Sequence, residues 1–159
     1  MASKGDDVVE MKARIALHKG PPTSPGQVIL DREIPSDSAL VAPLVVRAMD
    51  FLRSEGVIRP GEDSKIALCL EEALQNAVLH GNKKDFKKKV RFQIFLSDAE
   101  WSVVVSDEGQ GFDPEQVRNP LKSEGIWRES GRGLYLMSHY MDRVEHYNGG
   151  STLVLARTI

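Results

Sequence analysis

The sequence feature that most constrains this chain is a helical pattern that carries polar side chains beside its apolar stripe. It reads EEALQNAVLHGN from Glu71 to Asn82. Glu72 and Asn76 are four residues apart, so a helix places them on one face. The apolar residues on the far side require a core to pack against. This apolar stripe contains Ile66, Cys69, Leu70, Ala73, Leu74 and Ala77.

Glu72 and Asn76 together have the chemistry of a site for a metal-bound phosphate. A carboxylate can take a proton from a hydroxyl or a water. An amide oxygen is a hard ligand that suits Mg²⁺, which keeps phosphate oxygens and waters around it. A polar pair at this spacing is also common on an ordinary solvated helix face. The rest of the chain must therefore decide between the two interpretations.

Composition places the chain among single-domain globular proteins. It has 159 residues, of which 41% are hydrophobic, and a formal net charge of −2, so charge gives no case for nucleic acid or membrane binding. No apolar run reaches the roughly 20 residues of a transmembrane helix, and the N-terminus lacks the apolar part of a secretory signal. With Cys69 as the single cysteine, these features predict a cytoplasmic protein.

The chain is predicted to begin with a flexible N-terminal extension, residues 1–26, followed by one folded domain, residues 27–159. Prolines and glycines between residues 20 and 26 separate the two. Ser36 or Asp37 is the expected N-cap of the first helix, and Asp63 or Ser64 that of the central helix. The predicted order is an edge strand at 28–34, a helix at 38–55 that includes Pro43, the central helix, a hairpin at 90–105, a helix at about 134–141 and a hairpin at 143–157.

A basic loop follows the central helix and reads KKDFKKKVR from Lys83 to Arg91. It is typical of either a solvated loop or a contact to nucleic acid. Phe86 is its only aromatic residue, so the stacking platform of single-strand binders is missing. Direct nucleic-acid binding is therefore not predicted.

A second motif, DEGQG at residues 107–111, comes directly after a predicted strand. Asp107 can accept hydrogen bonds from an amine such as that of adenine. Gly109 and Gly111 leave room for a base or a sugar to approach the backbone. An ordinary turn after a strand has the same residue types.

A third motif, GRGL at residues 131–134, precedes a predicted helix. Backbone N–H groups at a helix N-terminus attract anions. Residues 114–130 have no clean period and are predicted to form a lid. On the last strand, the Thr152 hydroxyl could reach a base through water, although threonine is also a common strand residue.

As an ordered set, these motifs resemble the ATP-binding domain shared by gyrase, heat-shock chaperones, histidine kinases and mismatch-repair ATPases. EALQNA at 72–77 resembles the N box of that superfamily, DEGQG the first glycine box and GRGL the second. The small size, NAVLHG at 76–81 and RESGRGLYLM at 128–137 are similar to the anti-sigma-factor serine kinases. The resemblance covers about residues 28–157. It implies a Bergerat-type α/β fold, that is, an α+β two-layer sandwich with a mixed, mostly antiparallel sheet covered on one face by helices.

The resemblance also implies roles for individual residues. Glu72 would be the general base and Asn76 the ligand of Mg²⁺, which bridges the phosphates of ATP. Asp107 would read the adenine amino group, with help from Thr152. Residues 114–130 would be the ATP lid. The nucleotide would further contact His80, Gly109, Gly111, Phe112, Gly131, Arg132, Gly133 and Leu134.

Members of the resembled group imply the activity and the partners. The expected activity is a protein serine/threonine kinase that phosphorylates an anti-anti-sigma protein of the STAS type and alternately holds a sigma factor, as a homodimer. The alternative is a regulator that binds ATP without catalysis and only sequesters its partner. A split histidine kinase is a weaker third possibility, because the four histidines are scattered and form no phospho-acceptor motif.

Overall fold

The computed structural model describes residues 15–23, 26–111 and 126–159. Within them the chain forms six strands and three α-helices, and short 3₁₀ turns occur at Ser38–Leu40 and Asn148–Gly150. In chain order the elements are β1 (Ile15–Leu17), β2 (Gln27–Pro35), α1 (Val41–Ser54), α2 (Asp63–Asn76), a π-helical turn (Ala77–Gly81), β3 (Lys89–Leu96), β4 (Glu100–Ser106), α3 (Ile126–Tyr140), β5 (Arg143–Tyr147) and β6 (Thr152–Thr158).

The strands form one sheet in the order β1-β5-β6-β4-β3-β2. Every neighbouring pair is antiparallel except β1 and β5, which are parallel. The prediction of a mixed, mostly antiparallel sheet in an α/β sandwich is therefore confirmed. The prediction that β2 lies at an edge is also confirmed, because β2 pairs with β3 alone among the described strands.

The core lies between the helices and one face of the sheet. On β3 the side chains alternate: Val90, Phe92 and Ile94 are buried, while Arg91 points to the polar face and pairs with Asp31 at 2.8 Å. This two-residue period is the signature of a half-buried strand. The predicted apolar stripe of α2 is buried against the same core, as Ile66, Cys69, Leu70, Ala73, Leu74 and Ala77.

The helix starts differ in part from the predictions. Asp37 caps the first turn as expected, since its carboxylate accepts the N–H of Ala39 at 2.9 Å. The predicted cap of α2 is wrong: the helix begins at Asp63 after Glu62, without a side-chain cap. The physical reason is that the Asp63 carboxylate pairs with Arg53 of α1 instead.

Helix α3 begins at Ile126, well before the predicted start near Leu134. The prediction of an irregular lid is therefore wrong for residues 126–130, while residues 114–125 lie outside the described part of the chain. The stretch from Ile126 to Ser130 contains no proline or glycine, so nothing in it stops the helix. As a consequence Gly131 to Gly133 lie inside the helix and not before its N-terminus.

Part of the predicted N-terminal extension forms a strand. Ile15 to Leu17 form β1 against β5, in register with Val144 to His146. The edge of β5 offers unpaired backbone groups, which this segment takes up. The boundary at residue 26 stays a prediction. None of the helices in the described ranges is long and apolar enough to span a bilayer.

Candidate functional site

The C-terminal half of α2 forms one wall of the candidate site. Glu72 and Asn76 lie on the same face, both partly exposed. Gly133 of α3 packs directly against them: a Cβ added there would lie 2.9 Å from Glu72 Oε2 and 3.4 Å from Asn76 Nδ2. The structure thus brings together two motifs that lie far apart in the sequence. Only a residue without a side chain lets the α3 backbone come this close without displacing Glu72.

The helix continues beyond Asn76 as a π-helical turn, Ala77–Gly81. The backbone N–H of Asn82 donates to the carbonyl of Ala77 at 2.8 Å, five residues back. Turns of this kind are rare and occur frequently at functional sites. His80, a predicted nucleotide contact, lies on this turn and is partly exposed.

Asp107 lies at the end of β4, and its position is set from three sides. Its backbone N–H donates to the carbonyl of Ser151 at 2.8 Å. Its Oδ1 accepts the N–H of Gly109 at 2.8 Å. Its carboxylate lies against Gly81, where a Cβ would overlap it. The carboxylate therefore occupies a fixed place beside the π-helical turn that follows Asn76.

Burial raises the pKa of Asp107 to about 6, because a charged carboxylate is poorly solvated there. The Gly109 hydrogen bond and the charge of Lys88 both act in the opposite direction and lower that pKa. At neutral pH the group is still mostly ionised. A partly desolvated carboxylate with one oxygen already bonded is well suited to accept one further hydrogen bond from a ligand.

A buried amide that the sequence analysis missed, Asn82, holds the Asp107 region together. Its Nδ2 donates to Ser36 Oγ and to the carbonyl of Lys89, both at 2.9 Å. Its carbonyl oxygen accepts the backbone N–H of Glu108 at 2.7 Å. The side chain is fully buried. The available signal was a lone amide after His-Gly at a helix end, which is also typical of an ordinary turn.

The remaining residues that are predicted to contact the base lie on the same edge. Thr152 is buried and pairs with Ser106 across the sheet, next to Asp107. Its hydroxyl accepts Asn148 Nδ2 at 3.1 Å and donates to Ser106 Oγ at 3.3 Å. Gly111 has a φ of +78° and lies against the carbonyl of Gly149, so a side chain there would be strained and would clash.

Of the second glycine motif, residues 131–134, Gly133 is the residue described above as packing against Glu72 and Asn76. Gly131 and Arg132 belong to the helical backbone of α3. Leu134 is buried in the hydrophobic core, and its contact with the nucleotide stays a prediction. Phe112 lies outside the described residues.

The site therefore consists of two clusters joined by the π-helical turn. One contains Glu72, Asn76 and Gly133, and the other is centred on Asp107. Within the described ranges, no three His, Cys, Asp or Glu side chains are grouped so that they could hold a metal ion. A metal here would need most of its ligands from a bound phosphate and water, as Mg²⁺ commonly takes them.

Comparison with curated proteins finds relatives named serine-protein kinase RsbW and relatives named anti-sigma F factor. The serine-protein kinase RsbW of Staphylococcus epidermidis is 38% identical over 108 residues, which are 62% of this chain and 65% of that protein. The serine-protein kinase RsbW of Bacillus subtilis is 36% identical over 96 residues, 55% of this chain and 59% of the relative. The anti-sigma F factor of Geobacillus kaustophilus is 32% identical over 103 residues, with 62% and 70% covered.

These alignments cover only part of each protein. The chain spans 65% of the length of the staphylococcal relative and 59% of that of the Bacillus relative. A family model for the histidine kinase-like ATPase domain matches residues 34–157, which contain every described residue of the candidate site. On this match, the chain belongs to the histidine kinase-like ATPase domain family.

Proposed function

We propose that this chain binds ATP with Mg²⁺ and transfers the γ-phosphoryl group to a serine of a protein partner. The observation that carries the proposal is the meeting of Glu72, Asn76 and Gly133 one π-helical turn away from the fixed carboxylate of Asp107. The relatives named as serine-protein kinases support the reaction class.

Recognition of adenine is assigned to Asp107. Within the described part of the chain, the N–H of Gly109 is the one donor whose hydrogen bond to this carboxylate is observed, so the other oxygen can accept the exocyclic amine. The Thr152 hydroxyl lies next to it, bonded to Asn148 and Ser106. Gly109 and Gly111 keep the surrounding backbone free of side chains, which lets a planar base approach.

The phosphates and the metal are assigned to the other cluster. The amide of Asn76 would hold Mg²⁺, and its chemistry fits because a hard oxygen ligand suits this ion. When bound, Mg²⁺ neutralises the charge of the phosphates during transfer. The helix backbone at Gly131 and Gly133, together with Arg132, is assigned to the phosphates. This part of the proposal requires the helix to present those groups differently from the conformation described above.

Glu72 is proposed as the general base. Its carboxylate is partly exposed, lies four residues from Asn76 on the same helix face, and packs against Gly133 of α3. It would accept the proton of the attacking serine hydroxyl while Asn76 keeps the metal-bound phosphate in reach. A positioned base of this kind contributes roughly 10²- to 10⁴-fold to the rate.

The proposed partners are an anti-anti-sigma protein of the STAS type, as the phosphorylated substrate, and a sigma factor, as the sequestered protein. The names of the relatives, a serine-protein kinase and an anti-sigma factor, support this pairing. A homodimer in the cytoplasm is part of the proposal. The relative named only as an anti-sigma factor favours one alternative, a regulator that binds ATP and sequesters its partner without catalysis.

The test is a phosphoryl-transfer assay with labelled ATP and an anti-anti-sigma protein from the same genome, comparing Glu72→Gln with Glu71→Gln. Glu71 is the exposed neighbour on the same helix and serves as the matched control. We expect Glu72→Gln to bind ATP normally and to lose at least about 100-fold in rate, while Glu71→Gln behaves as the wild type. Acid-stable label on serine supports the kinase. ATP binding without any transfer by the wild type would favour the non-catalytic regulator.

A further inference from the structure

The segment after β1 is hydrogen-bonded to the turn between β5 and β6. The backbone N–H of His18 donates to the carbonyl of His146 at 2.7 Å. In return, the N–H of Asn148 donates to the carbonyl of Gly20 at 3.0 Å, and the N–H of Gly149 donates to the carbonyl of His18 at 3.4 Å. The N-terminal segment therefore satisfies backbone groups of the turn that no sheet partner reaches in the described structure.

Side chains reinforce this attachment. The His18 ring stacks on Tyr147 with 4.4 Å between ring centroids and 16° between planes. His18 Nε2 lies 3.0 Å from Glu145 Oε2, which also accepts the Tyr147 hydroxyl at 2.7 Å. One residue of the N-terminal segment thus contacts both outward-facing side chains at the end of β5.

The turn itself has a backbone conformation that needs support. Asn148, Gly149 and Gly150 have φ values of +53°, +71° and +107°. Three successive residues with positive φ are unusual, and a non-glycine residue in this region is uncommon. Conformations of this kind persist where surrounding contacts determine them, and the N-terminal segment provides two of those contacts.

The other side of the turn contacts three residues of the candidate site. The carbonyl of Gly149 lies against Gly111. The side-chain amide of Asn148 donates to the Thr152 hydroxyl at 3.1 Å. The adjoining carbonyl of Ser151 accepts the N–H of Asp107 at 2.8 Å.

We propose that residues 15–20 are a positioning element for the nucleotide site. By holding the turn between β5 and β6, they place Gly111, Thr152 and Asp107 for binding the base. This proposal rests on the proposed function, because it names the site that ATP occupies. The positioning element lies before residue 34, where the match to the family model begins.

Docking of residues 15–20 and binding of ATP are thermodynamically linked, so each should measurably strengthen the other. If the docked segment favours nucleotide binding, bound nucleotide must favour docking of the segment by the same factor. The backbone N–H of His18, which is bonded to His146, then exchanges with solvent more slowly when ATP and Mg²⁺ are present.

The experiment compares ATP affinity of the full chain with that of His18→Ala and His18→Pro. The first variant removes the ring stack and the contact of Nε2 with Glu145; the second also removes the N–H donor. His139→Ala is the matched control, since His139 is also exposed and stacked on a tyrosine but lies on α3. We expect about threefold weaker binding for His18→Ala and about tenfold for His18→Pro, the size of one or two hydrogen bonds, with the control unchanged.

The outcomes separate this inference from the proposed function. If the wild type binds ATP and both His18 variants bind equally well, the positioning role is overturned and ATP binding stands. If the wild type does not bind ATP, both are overturned. Should His18→Pro fail to fold, His18→Ala and the exchange measurement decide, and an exchange rate of the His18 N–H that ATP leaves unchanged overturns the positioning role.

Discussion

The two clusters of the candidate site are built in different ways. Around Asp107, the carboxylate accepts the N–H of Gly109, while carbonyl oxygens of Ser151 and Asn82 accept the backbone N–H groups of residues 107 and 108. These hydrogen bonds fix the backbone and the carboxylate within the sheet and its adjoining turns. Around Glu72, the site is a contact between the surfaces of two helices, where the backbone of Gly133 approaches two long side chains.

This difference indicates which of the two clusters already has its binding geometry before a ligand binds. Polar groups held by a complete hydrogen-bond network need little rearrangement on binding, and this preorganisation favours affinity. The helical stretch at Gly131 to Gly133 has two residues that each cost roughly 1 kcal/mol of helix stability relative to alanine. Changes of backbone conformation therefore cost the least free energy at Gly131 to Gly133, the stretch proposed to bind the phosphates.

The largest expected effect comes from breaking the network on the Asp107 side with Asn82→Ala. The change removes three hydrogen bonds and leaves the N–H of Glu108 without its acceptor. We expect the free energy of unfolding to fall by about 3 kcal/mol, measured by urea denaturation, together with weaker ATP binding.

Ser36→Ala is the control for that change, because it removes only the hydrogen bond from Asn82 to Ser36 and the bond from Ser36 to the carbonyl of Lys88. A loss of about 1 to 2 kcal/mol is expected. Equal losses for the two variants would mean that the hydrogen bonds of Asn82 to Lys89 and Glu108 together contribute no more than the bond from Ser36 to Lys88. That result would contradict the assigned role of Asn82 in holding the Asp107 region.

The next prediction concerns Asp107, where one substitution should change stability and ATP binding in opposite directions. Since burial raises the pKa of Asp107 to about 6, its native form holds a proton more tightly than the unfolded chain does. This group therefore lowers stability as pH rises from about 4 to about 6, and the deficit remains above that range. Asp107→Asn should match the wild type near pH 4 and exceed it by about 2 to 3 kcal/mol at pH 7, as measured by denaturation across that range.

The same variant should bind ATP at least about tenfold more weakly at pH 7, because a charged acceptor is lost. Wild-type affinity should also fall as pH drops below about 6, where Asp107 becomes protonated. A variant that is less stable than the wild type at every pH would contradict the assigned burial cost.

The smallest effect on stability is expected in the cluster of Glu72, Asn76 and Gly133, from the substitution Gly133→Ala. Alanine in a helix interior gains about 0.5 to 1 kcal/mol over glycine. The new Cβ would come closest to the movable end of Glu72, at 2.9 Å, and would lie 3.4 Å from Asn76 Nδ2. We expect unchanged or slightly higher stability with a clear loss of phosphoryl transfer, since Glu72 is displaced. His139→Ala, on the same helix, should leave transfer unaltered; a Gly133→Ala variant with full activity would remove Gly133 from the site.

Local patterns were sufficient to predict the elements that depend on periodicity. The stripe of α2, the common face of Glu72 and Asn76, and the strand before Asp107 all follow from the spacing of residues. The predicted start of α3 is wrong because glycines commonly mark a helix boundary, whereas this helix continues through Gly131 and Gly133.

Contacts between distant segments could not be predicted in the same way. The pairing of β1 with β5 depends on which sheet edge is left open, and the role of Asn82 depends on Ser36, Lys89 and Glu108 arriving around it. The spacing of residues along the chain does not encode these contacts between distant segments, so they can be identified only once the fold is known.

The π-helical turn at Ala77–Gly81 has a consequence for how this domain tolerates change in length. Such a turn holds one residue more than regular α-helix would need. If the same residues formed regular α-helix instead, all that follows would be rotated by about 100°, which would carry Gly81 away from Asp107. A residue inserted into the turn should have the same effect, so we expect this turn to tolerate insertions poorly.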